Sequence, residues 1–444
     1  MKKLMLSVAA LMIGAIGFAQ NTATTIQDGN NNDATVVQTG AENISLLDQA
    51  VKSNKADVNQ LGDKNVLKNS KLVVGLKYGE FAVQRALSVL ELDQTGDENV
   101  LGLYQNNQKN KAYVDQDGYK NQADVWQQSF GGAVSGNITD IVQDGDENEA
   151  NVYQTGDLSN VEIKQNGNRN MTDVNQDGPF TSPKGGRSNE AFLRQEGNDN
   201  QAYLTQFGEN NKIDAGDDGY QNNAQKGNNH LLTVNQIGDE NYTYYNSGNG
   251  SHDNVALVNQ LGFDDNAQIH QWASNSRATV YQKGITGVFS YNGDNNTADI
   301  TQYGKKQESS ISQEGQNHTA ETYQSGNNHK ATISQVGDVF DGSNERYSTS
   351  WPGAPFNNQA RTNQRGNQNT LSITQDGEVN NAWINQHGKL NDADIMQTGI
   401  DNWGEIIQNG DNNYGSITSN GTGHTGTIIQ TGGMNESVIT QNPL

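Results

Sequence analysis

The one stretch of the chain that spells a cofactor signature is Gly421, Thr422, Gly423, His424, Thr425, Gly426, a GxGxxG string of the kind that cradles a dinucleotide pyrophosphate. It lacks the required setting, because only 18 residues follow it and a βαβ unit with its ribose-binding acid does not fit. Four of the seven His (His230, His318, His329 and His424) recur at one position of a repeat, where each replaces an Asn. A metal site needs ligands that cluster, and the spacing of these four does not stack them. Acidic pairs, Asp97 with Glu98, Asp146 with Glu147, Asp217 with Asp218, Asp239 with Glu240 and Asp264 with Asp265, could hold Ca²⁺ if stacked turn on turn. Alternatively they form a solvated edge whose repulsion limits side-by-side aggregation. There is no Cys, hence no disulfide, thiolate metal site or Cys nucleophile. Neither a His-Glu helix motif nor a nucleophile elbow nor a Ser/His/Asp set is present, so no catalytic residue, resident metal or other cofactor is expected. What remains is the hydrogen-bonding chemistry of Gln and Asn side chains, and these are spaced with strict regularity.

Gln27, Asp28, Gly29, Asn30, Asn31, Asn32, Asp33, Ala34, Thr35, Val36, Val37 is followed by Gln38, Thr39, Gly40 and Asn43, an eleven-residue unit QxGxxNxAxVx. Gln recurs in phase at Gln94, Gln105, Gln116, Gln127, at Gln143, Gln154, Gln165, Gln176, at Gln302, Gln313, Gln324, Gln335, and from Gln364 to Gln408. The letter breaks at Ser419 without loss of spacing, and Gln430 and Gln441 resume it. Within a unit, Asn148, Ala150, Val152 and Gln154 fall at alternate positions, the period of a β-strand. The four residues between strands carry Gly second, chemistry for a tight reversal at positive φ. Two strands and two turns in 22 residues make one coil of a two-sheeted β-solenoid. The fold class is therefore all-β, with about 17–19 coils and a rod on the order of 80–90 Å.

In such a coil the Ala of one strand opposes the Val or Ile of the other, and inward Asn and Gln sit near the turns. Buried amides need partners, and stacking supplies them if each bonds its copy above and below, as in cross-β assemblies. The expected ladder comprises Gln27, Asn32, Gln38, Asn43, Gln94, Asn99, Gln116, Asn121, Gln143, Asn148, Gln154, Gln165, Asn170, Gln176, Gln195, Asn200, Gln206, Gln364, Asn369, Gln375, Asn380, Gln386, Asn391 and Gln397. The expected turn glycines are Gly29, Gly40, Gly96, Gly145, Gly156, Gly167, Gly377, Gly388 and Gly399. Tyr104, Trp126, Tyr153, Tyr281 and Tyr323 each precede a ladder Gln and so point outward, as a stripe for lateral or glycan contact or simply as β-formers on an open sheet.

The composition fits this thin core: 32% of the 444 residues are hydrophobic and 49 are Gly. The formal charge of −23 makes nucleic acid an unsuitable partner. Residues 1–19, with Lys2 and Lys3 before the apolar stretch Leu4 to Phe18, read as a secretory signal peptide, leaving residues 20–444 as one repeat domain of a secreted protein. No later stretch approaches a membrane span, so the mature chain has no transmembrane segment. Extra residues between units mark loops at about 129–136, 177–188, 283–295 and 338–357, where Pro179, Pro183, Pro352 and Pro355 lie. Residues 72–92 are the most degenerate part, readable as irregular coil or a small helix.

The run of Gln, Gly and Asn with alternating Ala and Val resembles the curlin repeat of curli fibre subunits, from Asn21 to Gln441. The resemblance implies an extracellular amyloid subunit that polymerises with itself into pilus-like surface fibres. These would mediate cell adhesion and biofilm formation on host, glycan or abiotic surfaces, after passage through outer-membrane export and assembly machinery. The family's ladder residues map onto positions such as Gln143, Asn148, Gln154, Gln165, Asn170, Gln176, Gln375, Asn380, Gln386 and Asn391. Family major subunits are shorter, with about five coils, and carry a segment before the first repeat that guides export. Here Asn21, Ala23, Thr25 and Gln27 already fit a strand, and the pattern runs to within three residues of Leu444 with no capping, sorting or anchoring domain expected. Open terminal coils of this kind predict head-to-tail addition. The alternative is a non-polymerising solenoid, an adhesin or nucleator that grips a glycan or another surface with its flat faces.

Overall fold

In the computed structural model, which describes residues 20–70, 81–129, 136–177, 188–216, 224–284, 295–337 and 358–442, every regular element is a β-strand. Thirty-five strands run from Thr22–Asn30 to Glu436–Gln441. Each unit folds as its alternation dictates. In Asn148–Gln154 the residues Asn148, Ala150, Val152 and Gln154 are fully buried, while the interposed side chains face outward. The chain reverses at the glycine turn, so successive units fall alternately into two sheets, and every strand pairs in parallel with the strand one coil away, as Gln122–Gln128 does with Glu149–Thr155. Like sits over like: Ala123 on Ala150, Val125 on Val152, Gln127 on Gln154.

The first sheet contains 18 strands, of which Val66–Asn69 and Ala82–Arg85 share a rung, giving seventeen rungs. The second contains 17 strands, of which Lys212–Ala215 and Gln225–Asn228 share a rung, giving sixteen. Neither sheet closes on itself: Asp33–Thr39 and Thr425–Thr431 each pair on one side only among the described residues. The molecule is therefore a two-sheeted β-solenoid at the lower end of the expected coil number, its rungs spanning on the order of 75–80 Å at about 4.8 Å per interval.

The core is one residue layer thick on each side, and small faces large. At Gly404, Gly415 and Gly426, which occupy the Ala position, an added Cβ would lie 2.9, 3.1 and 2.9 Å from Cγ2 of Ile395, Ile406 and Ile417 on the opposing strand. Each fully buried Val, Leu or Ile contributes roughly 1.5–3 kcal/mol. The terminal rungs lack this cover. Thr22–Asn30 is exposed along its whole length, and Glu436–Gln441 alternates between exposed and half-buried.

The loops expected near 129–136, 177–188, 283–295 and 338–357 fall largely or wholly outside the described residues, as do residues 1–19, and complete strands flank each of them. Two other insertions correct the expectation that interruptions fall only between units. Those after Ser70 and after Gly216 split a strand in the middle, yet the halves keep their register, Leu47 over Ala82 and Gln195 over Gln225. Within the degenerate stretch 72–92, residues 71–80 lie outside the described residues, and the remainder forms strands Ala82–Arg85 and the start of Val89–Asp97.

Candidate functional site

The Gln side chains form two columns that run the length of the solenoid. In the first sheet Nε2 of each Gln donates to Oε1 of the next from Gln27 through Gln49, Gln84, Gln105, Gln127, Gln154, Gln176 and Gln206, at 2.7–3.0 Å. It continues through Gln236, Gln260, Gln282, Gln313, Gln335 and Gln375 to Gln397, at 2.9–3.0 Å. In the second sheet the column Gln38, Gln60, Gln94, Gln116, Gln143, Gln165, Gln195, Gln225 has spacings of 2.7–2.9 Å. Ser247 interrupts it, Tyr245 donating its hydroxyl to Gln271 Oε1 at 3.2 Å. From Gln271 it resumes through Gln302, Gln324, Gln364, Gln386 and Gln408 to Gln430 at 2.9–3.1 Å.

The second Nε2 proton crosses the core, as from Gln154 to the Ile138 carbonyl at 3.1 Å and from Gln386 to the Thr370 carbonyl at 2.9 Å. Each amide thus ties coil to coil and sheet to sheet, and both columns have one polarity, with Oε1 toward the Thr22–Asn30 end and Nε2 toward the Glu436–Gln441 end. The expected ladder left out several members of these columns, among them Gln49, Gln60, Gln84, Gln225, Gln236, Gln260, Gln271 and Gln282. Gln49 and Gln60 are in phase and were legible, whereas Gln84 and Gln225 follow insertions that shift their number.

The inward Asn make copy-to-copy bonds at many rungs, but their most regular partners are backbone groups of the next coil. Oδ1 of Asn148 accepts the backbone N–H of Asn170 at 3.0 Å, and its Nδ2 donates to the turn carbonyl of Gly167 at 2.7 Å. Asn43, Asn99, Asn121, Asn170, Asn200, Asn369, Asn380 and Asn391 donate likewise to a turn-glycine carbonyl one rung on, at 2.7–3.2 Å. Asn32, near the end of the rod, donates to Asp28 O at 3.1 Å while its Oδ1 accepts from Asn54. Direct Asn-to-Asn amide bonds, such as Asn148 to Asn121 at 3.1 Å, are secondary. The shorter side chain reaches the neighbouring backbone before it reaches its copy, so Asn satisfies the polar groups that a turn would leave orphaned.

The turn glycines answer to two constraints. Gly29, Gly40, Gly96, Gly145, Gly156, Gly167, Gly377, Gly388 and Gly399 all have φ between 96° and 133°. At Gly145 an added Cβ would lie 2.2 Å from the carbonyl oxygen of Gly167 in the next coil, so backbone proximity excludes a side chain as well. Two residues after each glycine the chain again turns left-handed, at Glu98, Glu147 and Arg169 with φ of 60°, 58° and 55°. Asn or Asp, the non-glycine residues that best tolerate this region, fill many of these positions, among them Asn31, Asp199, Asn210, Asn317, Asn328, Asp401 and Asn412.

The acidic turn pairs divide into two roles. Oδ1 of Asp97, Asp146 and Asp239 accepts the backbone N–H of Asp63, Tyr119 and Glu209 one rung away, at 2.8, 3.1 and 2.7 Å. Glu98 is exposed enough to pair loosely with Lys64 and Lys120. Asp264 and Asp265 are not a turn pair, because Asp265 occupies the inward Asn position, is buried, and accepts from Asn296 N at 3.2 Å. Asp217 and Asp218 lie outside the described residues. No three His, Asp or Glu side chains converge as metal ligands among the described residues.

His230, His318 and His329 replace Asn inside the core. Their Nε2 faces the carbonyls of Lys226, Glu314 and Ser325, each at 3.1 Å, and Nδ1 of His230 and of His329 accepts a backbone N–H from the next rung at 3.3 Å. Burial pushes His230 and His318 down to about 4 and lowers His329, which favours the neutral ring with Nε2 protonated, while Nδ1 of His318 is buried without a partner. His424 follows the same pattern near the end of the rod, with Nε2 facing Asn420 O at 3.0 Å. Gly421 is a turn glycine at φ 125° and Gly426 occupies an Ala position, so the GxGxxG string is one repeat unit.

The outward aromatics do not form one open stripe. Tyr104, Trp126 and Tyr153 stack with centroids 5.8 and 4.2 Å apart, but Tyr104 and Trp126 are buried rather than presented to solvent. Tyr323 belongs to a separate stack on the other sheet with Tyr303, and Arg365 lies over its ring. Tyr281 is half-buried, in register between Asn259 and Ser312.

A parallel two-sheeted solenoid stapled by one-way columns of buried Gln, with Asn-bonded glycine turns, is the class of protein that fold and site define. The family model described as "Curlin associated repeat" matches residues 135–167, 145–178, 186–216, 293–321 and 366–399, so the chain carries curlin repeats over these segments. No curated protein matches it. The unmatched units, such as Asp33–Thr39 over Lys55–Leu61, keep the same register and the same columns. No helix among the described residues is long and apolar enough to cross a membrane.

Proposed function

We propose that this protein is a secreted, non-catalytic structural subunit that adds head to tail into a curli-like amyloid fibre, serving adhesion and biofilm formation at the cell surface. The observation that carries the reading is the polarity of the Gln columns. At one end Gln27 and Gln38 present Oε1 on exposed strands, and at the other Gln441 and Gln430 present Nε2, one proton of each being held by Thr425 O and Tyr414 O at 2.8 and 2.7 Å. Stacking Thr22–Asn30 of one copy on Glu436–Gln441 of another would continue each column in phase and pair both open edges. Two like ends would meet acceptor to acceptor or donor to donor, so fibres grow with one polarity. The signal-like residues 1–19 support secretion, and the curlin repeats support self-assembly and outer-membrane export. The charge of −23 argues against nucleic acid as a partner.

The purified chain lacking residues 1–19 is expected to form thioflavin-binding fibres whose sonicated fragments seed growth. The double variant Gln430→Leu, Gln441→Leu should elongate more slowly without losing its own strand content. A chain that stays monomeric by light scattering for days, seeded or not, would overturn the reading.

A further inference from the structure

The outer face of the second sheet carries a groove that the ladders do not explain. Trp383 and Trp403 stand on adjacent rungs, offset by two residues, because Trp383 pairs in register with Glu405 and Trp403 with Asn381. Strand and rung spacing place them about 8 Å apart. They are 36% and 42% exposed, and neither has a ring partner among the described residues. Where outward rings fall in register on adjacent rungs they stack instead, as Trp126 does on Tyr153 at 4.2 Å and Trp272 on Tyr303 at 4.8 Å. Between and beside the two indoles lies a hollow of about 280 Å³ that also takes in Glu321, Gln359, Arg361 and Asn381.

The chemistry of this hollow narrows its ligand. Arg361 forks onto Glu321 through Nε and Nη2 at 2.7 and 2.9 Å, leaving further guanidinium N–H groups and carboxylate lone pairs toward solvent with no net charge. Gln359 is exposed, with its amide free to donate and to accept. An anionic ligand would meet Glu321, and a cationic one Arg361. A purely apolar ligand would cover the amides and the ion pair without bonding them. The complement of two free apolar ring faces set among planar donors and acceptors at zero net charge is a neutral molecule with both C–H faces and many hydroxyls. We propose that the Trp383–Trp403 groove binds a short stretch of a neutral polysaccharide, with sugar rings on the indoles and hydroxyls on Gln359, Asn381 and the Arg361–Glu321 pair. Repetition of the subunit along a fibre would repeat the site, so that weak single contacts sum to firm attachment.

The test does not depend on polymerisation. Tryptophan fluorescence of the chain is titrated with cellohexaose, chitohexaose and mannohexaose, for the wild type, Trp383→Ala, Trp403→Ala and the control Phe207→Ala, an exposed aromatic at a turn of the other sheet. Saturable binding of at least one hexasaccharide is expected, weakened tenfold or more by each Trp substitution and unchanged by Phe207→Ala, with the circular dichroism of all four chains alike. The proposal fails if none of the three saccharides binds saturably, or if binding survives both Trp substitutions. It also fails if the Trp variants lose lateral association between copies while no saccharide binds, since the groove would then be a protein contact.

Discussion

Replacing Gln386 by Leu keeps the side-chain volume and removes one link of the second column. Gln386 accepts from Gln364 Nε2 at 3.0 Å and donates to Gln408 Oε1 at 3.0 Å and Thr370 O at 2.9 Å. In the variant, Gln408 Oε1 loses its donor, while Gln364 Nε2 keeps the carbonyls of Lys330 and Asn369. One fully orphaned and two partly orphaned buried groups, at roughly 1–3 kcal/mol for the first and less for the others, outweigh the apolar gain and predict a loss of about 3 kcal/mol. The informative comparison is the triple variant Gln364→Leu, Gln386→Leu, Gln408→Leu. Its apolar block still leaves one orphan at each end of the gap, so its cost should be well under three times that of the single variant. Because a long solenoid can open in parts, the assay pairs urea unfolding with amide exchange of the rungs from Gln359 to Thr431. Refutation is simple: if Gln386→Leu is neutral or stabilising, packing rather than amide bonding holds the coil, and the columns are incidental.

Gly145→Ala should cost 3 kcal/mol or more, by forcing a Cβ both into φ 116° and to within 2.2 Å of Gly167 O, as a drop in urea midpoint would report. Acid should weaken the fold through its buried imidazoles. His230 and His318 titrate near 4 in the fold and near 6.5 when unfolded, so the unfolded chain takes up the proton first. Stability is therefore full above pH 6.5 and falls as the pH drops toward 4, by on the order of 3 kcal/mol for each His, and His318→Asn should flatten part of a pH series of unfolding midpoints. Ser419→Gln should close the gap between Gln397 and Gln441, adding about 1 kcal/mol and slowing amide exchange in Tyr414–Thr422. Calorimetric titration with millimolar Ca²⁺ should show no saturable heat, since Asp97, Asp146 and Asp239 already accept backbone N–H groups.

Most of the architecture was legible because each buried position in the repeat has one physical reason for its residue type. Alternation placed Asn148, Ala150, Val152 and Gln154 inward, and Gly145 announced its turn. The second left-handed turn position was legible where Asn or Asp fills it, as at Asn210 and Asn412, and silent at Glu98, Glu147 and Arg169, whose types do not announce a positive φ. It misled where one letter serves two trades. Asn and Gln share an amide, but the inward Asn also bond the turn backbone of the next coil, and Asp265 looks like half of an acidic turn until its register places it in the core. Insertions inside a strand, after Ser70 and Gly216, hid Gln84 and Gln225 by breaking the count while sparing the stacking. The Trp383–Trp403 groove escaped the sequence because the two residues lie 20 apart in the chain and become neighbours only through the 22-residue coil.

The most direct measurement is hydrogen exchange of the Gln side-chain amides themselves, followed by NMR on chain labelled at Gln Nε2. If the amides are stacked and water-excluded, the Nε2 protons of Gln154, Gln176, Gln375 and Gln386 should resist exchange as firmly as the strand backbone around them. Side chains that exchange at the rate of free glutamine amides would contradict the account.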